Sequence, residues 1–354
     1  MLRRAAALLL IGASIAAWVA CTSTKNHFVY LAVPGANEVS VYREDPNSGI
    51  LTAIVGSPYT IGTASSPQSL VLDPTQKFLY VANSQEGDIS LFTVANDGTL
   101  AEVTPRTLAG TTPILLAMDP GGSFLYVANA GSNNISVFSI DSSSGALTPV
   151  TGSPTGIGIF PISMKIAPSG NFLYVGGSGS PGIVEVFSLS SGVLSAVGAF
   201  QTGTNPFGLE IDPSGSFLYT ANTGDSSISE FSIGADGTLT QLAGSPVGEA
   251  TGNSAPVAIA IDPSGTYLYV CNEGTSNIAG YTLSSGAITA LSQPTFGTGT
   301  HPYFLAFDPN GKYVLISNQS GSVQNFGLDN TDGVITEIAS YSTGSTPTSI
   351  AVKQ

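Results

Sequence analysis

Glu273 and His301 are the two side chains whose types and spacing could do acid–base chemistry. A carboxylate beside an imidazole favours the protonated ring, and such a pair can activate water for attack on a carbonyl. Tyr303 and Phe207 would offer apolar walls for a ring-shaped ligand held against it. The competing reading makes both residues solvated loop positions, where stray polar groups collect. The chain has only two histidines, and His27 falls in an N-terminal tether, so His301 is the one catalytic candidate of its kind.

Two further sets of polar residues recur at matched positions. Lys165 and Glu210 occupy a slot that is Val or Ala in every sibling repeat. They read either as an ion pair between neighbouring units or as a charge pair lining a channel. Asn83, Asn129, Asn222, Asn272 and Asn318 each end one strand of a repeat. They read either as ligand contacts at a shared mouth or as turn caps. No Gly-x-Ser-x-Gly elbow, phosphate loop or Cys/His metal spacing is present, so no cofactor and no metal are expected. The two cysteines, Cys21 and Cys271, cannot build a metal site by themselves. Cys271 takes a slot held by Ala82, Ala128, Ala221 and Ser317 elsewhere, which suits a packed, inert thiol.

The repeat decides whether such residues can meet. Its clearest copy is Pro256-Val257-Ala258-Ile259-Ala260-Ile261-Asp262-Pro263-Ser264-Gly265-Thr266-Tyr267-Leu268-Tyr269-Val270-Cys271-Asn272. Large and small apolar residues alternate at period two, as in a strand. Asp-Pro-Ser-Gly is a type I turn, and the aromatic and β-branched run after it returns as a second strand. Residues 278–283 and 287–291 make a third and a fourth strand around the Ser285-Gly286 turn. The opening proline recurs at Pro67, Pro113, Pro161, Pro206, Pro256, Pro302 and Pro347, at spacings of 45 to 50 residues. A four-stranded repeat of that length is a β-propeller blade.

The expected fold is all-β, a seven-bladed propeller over residues 28–354 with four antiparallel strands per blade. Phe28-Val29-Tyr30-Leu31 begins directly as a second strand, and Ile350-Ala351-Val352 is an inner strand with no blade behind it. Pairing the two closes the ring and removes both open edges. The inner-strand starts Gln68, Ile114, Ile162, Phe207, Val257, Tyr303 and Thr348 should then ring one channel mouth, with Phe160 nearby.

Met1-Leu2-Arg3-Arg4 followed by the apolar stretch to Ala20 reads as an export signal, residues 1–20. A small residue before Cys21 is the pattern of a bacterial lipoprotein, although Trp18 stands where Leu is usual. Residues 21–27 would be a polar tether from a lipidated Cys21. The chain is thus expected outside the cytoplasm, in the bacterial envelope or secreted, with the membrane touched only through that lipid. A net charge of −14 excludes a nucleic-acid partner, whose phosphates need a basic face. Charged residues are only 9% of the chain against about 25% in ordinary domains, so Gly, Ser, Thr and Asn make the surface. A monomer is expected.

The repeats, the Tyr-Val-x-Asn strand ends and the C-terminal closing strand resemble the lactonase-type seven-bladed propellers. That family includes the propeller-type 6-phosphogluconolactonases and fungal muconate cycloisomerases. The chain is also similar to the Tyr-Val-Thr-Asn repeat propellers of bacterial surface proteins. The resemblance implies a site with a His in blade four, Pro-Arg-His and Asn-Glu in blade five, and an Arg in blade six. Here those places hold Phe160-Pro161-Ile162, Pro206-Phe207-Gly208, Asn222-Thr223 and Asn272-Glu273, while Asn318-Gln319 keeps the pattern of the final blade. The arginines that would hold an anionic lactone are absent. The resulting expectation is a binding module for a small molecule, glycan or protein at the mouth. The alternatives are a lactonase of neutral lactones using Glu273 and His301, and a structural component of the envelope.

Overall fold

Each inner hairpin is set by the aspartate of its turn. Asp262 Oδ1 accepts the backbone N–H of Thr266 (2.8 Å) and Tyr267 (2.6 Å), and Oδ2 accepts that of Ser264 (3.0 Å). Gly265 closes the turn at φ +74°, where a side chain would be strained. The chain therefore reverses, and Pro256–Ile261 pairs antiparallel with Tyr267–Asn272. Asp73, Asp119, Asp212 and Asp308 cap their turns in the same way.

A computed structural model describes residues 27–62, 64–249 and 254–353. The export segment, Cys21 and the tether up to residue 26 lie outside the described residues. The described strands form seven antiparallel sheets, the blades of a propeller, each running from an inner strand to an outer one. Blade one takes its inner strand from the far end of the chain. Ser349–Lys353 pairs with His27–Val33, setting Val29 opposite Val352, Tyr30 opposite Ala351 and Leu31 opposite Ile350. The ring closes as the split repeat implies.

The core lies between blades. Tyr30, Val39 and Val41 of blade one pack with Leu70, Leu79 and Phe92 of blade two, and similar clusters fill other blade interfaces. The tyrosine of the strand-end motif bolts these faces together. Tyr30, Tyr80, Tyr174, Tyr219 and Tyr269 donate to the carbonyls of Gly98, Gly145, Gly237, Gly286 and Gly333 on the next blade, at 2.6 to 3.2 Å. Cys271 is fully buried in its slot, and burial pushes its thiol well above the usual range.

The last seam, from blade seven to blade one, departs from this plan. Leu315 stands where the tyrosine should be, and Asn325 opposite it sends its amide to the Gly49 carbonyl (2.6 Å) and to Glu44 Oε1 (2.9 Å). His27 joins this cluster and is not part of the tether. It is the first residue of His27–Val33, paired with Glu44 across the sheet and buried. Burial, then the charge of Asp308, pushes the Glu44 carboxyl up to about 8.

Candidate functional site

The central cavity is built by a β-bulge repeated around the ring. In blade five Pro206 pairs with Asn222 and Gly208 with Ala221, so Phe207 has no partner across the sheet. The same skip leaves Gln68, Ile114, Ile162, Val257 and Tyr303 unpaired in their blades. A bulge re-aims the extra side chain, here toward the channel. In five blades the residue before the opening proline is left-handed: Ser66, Thr112, Asn205, Ala255 and His301, at φ 47° to 54°.

These bulge residues, with Thr348 from the closing strand, line a cavity of about 360 Å³. Phe160, Phe207, Tyr303 and Phe304 are its aromatic lining, and Phe207 meets Tyr303 edge-on with centroids 6.1 Å apart. Burial, and then the charge of Glu273, raises the Tyr303 phenol above its ordinary range, so it stays a neutral donor.

Three residues further along the inner strands the wall carries its only opposed charges among the described residues. Lys165 Nζ lies 2.8 Å from Glu210 Oε2, linking blades four and five. Glu210 Oε1 accepts the Ile211 N–H at 3.1 Å. The pair joins neighbouring blades and also faces the channel, so the two readings of it are both met. Sibling positions carry Val71, Ala117, Ala260, Ala306 and Ala351, all too short to fill the space.

The five asparagines do not line this cavity. Each is fully buried, and its amide bonds within its own blade, save that Asn272 also reaches Glu249 on the segment leaving blade five. Asn83 donates to Asp88 and Ser90, Asn129 to Asn134 and Ser136, and Asn222 to Ser227 and Ser229. Asn272 donates to Asn277 and Glu249, and Asn318 to Ser322 and Gln324. Gly110, Gly203 and Gly299 cover Asn129, Asn222 and Asn318 so closely that a Cβ would clash with them. These contacts tie the asparagine to side chains of neighbouring strands and loops, not to the backbone of a turn.

Glu273 and His301 are on the same rim but are not joined. Glu273 Oε1 accepts the side-chain amide of Gln319 at 2.9 Å. His301 is exposed; its N–H donates to Ser276 Oγ (3.2 Å) and its carbonyl accepts Gln319 N–H (2.9 Å). Among the described residues no hydrogen bond or ion pair connects their side chains, and neither lines the cavity. Gln319 occupies the place in which a dyad needs the imidazole.

Sequence reasoning missed the cluster of His27, Glu44 and Asp308, because His27 was assigned to the tether. The available signal was Glu44 at the end of an apolar strand, a carboxylate with no visible reason to be there.

The comparisons with known proteins agree with this geometry. The family model described as Lactonase, 7-bladed beta-propeller, matches residues 19–159, 161–251 and 235–352. A search of curated proteins returned no match. Among solved structures, a candidate 6-phosphogluconolactonase from Bacteroides fragilis is 22% identical, with a TM-score of 0.80 over 94% of this chain and 99% of that one. A second, from Bacteroides uniformis, is 19% identical with a TM-score of 0.79, covering 93% and 100%. The periplasmic gluconolactonase of Pseudomonas aeruginosa is 21% identical, with a TM-score of 0.77 over 92% and 99%. At these identities the structures speak for the fold alone. The family model covers nearly the whole propeller, and the chain belongs to the lactonase family of seven-bladed β-propellers.

Proposed function

We propose that this propeller is an exported, lipid-anchored binding module that takes a small uncharged ring, a sugar or a lactone, in its central cavity. The observation that carries this reading is the cavity lining. Four aromatic residues and the Ile114 and Ile162 side chains suit the apolar face of a ring, and Gln68, Thr348 and the Lys165–Glu210 pair suit its hydroxyl or carbonyl oxygens. The one cation is already neutralised by Glu210, so an anionic phosphosugar finds no free positive charge there. The test is calorimetry with a panel of neutral sugars and lactones beside phosphorylated ones. Neutral rings are expected to bind and phosphorylated ones not. Phe207→Ala should weaken the best binder about tenfold, the equivalent of roughly 1.4 kcal/mol of lost apolar contact. Tight binding only of phosphorylated rings would overturn the reading.

Lactone hydrolysis is the second reading, favoured by family membership and by the Lys165–Glu210 pair in the cavity. Glu210 would take a proton from water as its oxygen attacks the lactone carbonyl. Lys165 would stabilise the oxyanion. The ring C–O bond then breaks, the alkoxide takes the proton from Glu210, and a hydroxy acid leaves. Acid release from neutral lactones that disappears in Glu210→Gln would support it. No acid release from the wild type leaves the binding module.

The export proposal rests on the N-terminal pattern. Cys21→Ser is expected to move the protein from the membrane to the soluble fraction on cell fractionation. A soluble wild type whose mature chain begins at another residue would sink the lipid anchor.

A further inference from the structure

The seam between blades seven and one holds three side chains from separate elements. His27 opens the second strand of blade one, Glu44 ends its third strand, and Asp308 sits in the turn of blade seven. None is more than 3% exposed. His27 Nδ1 lies 3.3 Å from Glu44 Oε2 and 3.6 Å from Asp308 Oδ2. A tetrahedral zinc ion, with bonds of about 2.0–2.1 Å, holds neighbouring ligand atoms about 3.3 Å apart. The two edges from Nδ1 lie near that spacing, and the Glu44 and Asp308 oxygens are within 4.8 Å of each other.

The surroundings are those of a ligand set. The other ring nitrogen of His27, Nε2, lies 3.2 Å from Asn310 Nδ2, and a metal on Nδ1 requires that carboxamide to turn its oxygen toward the Nε2–H. Glu44 Oε1 accepts the Asn325 amide at 2.9 Å, and Asp308 Oδ2 accepts the Asn310 N–H at 3.1 Å. Such partners orient metal ligands in known sites. Asn325 adds an independent sign. It is fully buried, its carboxamide reaches into the cluster, and its Oδ1 has no hydrogen-bond partner. That leaves a desolvated amide oxygen on a residue already bonded to Glu44. The nearby Lys312 does not neutralise the site by contact, since its ammonium donates to the Pro46 and Asn47 carbonyls at the surface.

We propose that His27 Nδ1, Glu44 Oε2 and Asp308 Oδ2 bind one divalent cation of the zinc type, which staples blade seven to blade one. The ion does at this seam what a tyrosine hydroxyl does at five others. Calcium is excluded by its need for six to eight oxygens.

The test uses the full-length chain, stripped with EDTA and titrated separately with zinc, manganese and calcium chlorides. One equivalent of zinc is expected to bind, Tm should rise with it, and excess EDTA should reverse the rise. Calcium should do neither. His27→Gln and Glu44→Gln should each weaken zinc binding by at least about 100-fold while the circular dichroism spectrum is kept. If either fails to fold, Glu44→Asp, which keeps the charge and withdraws the oxygen, takes its place. No stoichiometric zinc in the wild type, zinc bound equally by the variants, or bound zinc that leaves Tm unmoved would each overturn the staple.

Discussion

Removing residues 347–354 is expected to cost the protein more than any single substitution. The segment carries the inner strand of blade one. Without it His27–Val33 becomes a bare edge, and the inner strands of blades two and seven lose a neighbour. Ile350 leaves the core, and Ser349 no longer accepts the Leu70 N–H at 3.2 Å. Thr348 no longer donates to the Gln68 carbonyl (2.8 Å), nor Lys353 to that of Ala95 (2.8 Å). Several ladder bonds at about 1 kcal/mol each and one buried isoleucine at about 1.5–3 kcal/mol put the loss on the order of 5 kcal/mol or more. The exposed edges also invite pairing between chains. Thermal melting should show a large fall in Tm, and size-exclusion chromatography should show aggregates. An unchanged Tm in the truncated chain would mean that the ring does not depend on this closure.

The second large effect is expected at Asn222. Its Nδ2 donates to Ser227 Oγ (3.0 Å) and Ser229 Oγ (2.9 Å), and its Oδ1 accepts from Thr220 Oγ1 (2.9 Å), all out of water. Asn222→Leu keeps the volume, strands the buried Thr220 hydroxyl, and leaves Ser227 with Asp225 and Ser229 with the Gly203 N–H as their remaining partners. A buried network broken on one side costs about 1–3 kcal/mol for each group left unsatisfied. A fall in Tm of about 2–5 °C is expected for a domain of this size. Ring binding in the cavity should be unchanged, because Asn222 does not face it. Lost affinity with an unchanged Tm would return the asparagines to the binding site.

The amide ring and the bulge ring illustrate what could be read in advance. Asn222 and Phe207 sit at the same end of one hairpin, and position along the chain treats them as equals. The bulge separates them, sending Phe207 into the channel and leaving the asparagine on the blade. Nothing in the residue types announces a skipped pairing. Position in the repeat sets Glu273 and His301 at strand ends of neighbouring blades, yet it does not aim a side chain. Gln319, one blade on, took the carboxylate.

Blade count, hairpin turns and ring closure were determined by the sequence alone, because a period-two pattern with Asp-Pro-x-Gly turns every 45 to 50 residues has one closed solution. These are local signals, the opening proline repeated seven times and the turn six, so that a lapse such as Ala167 or Gln76 is corrected by the other copies. Only the tertiary structure decided which side chains share a cavity and which share a seam. Lys165 meets Glu210, and His27 meets Asp308, across 45 and 281 residues of chain respectively. Such meetings occur once each and have no repeat behind them. They depend on side-chain direction at single positions, which the packing of neighbouring blades sets.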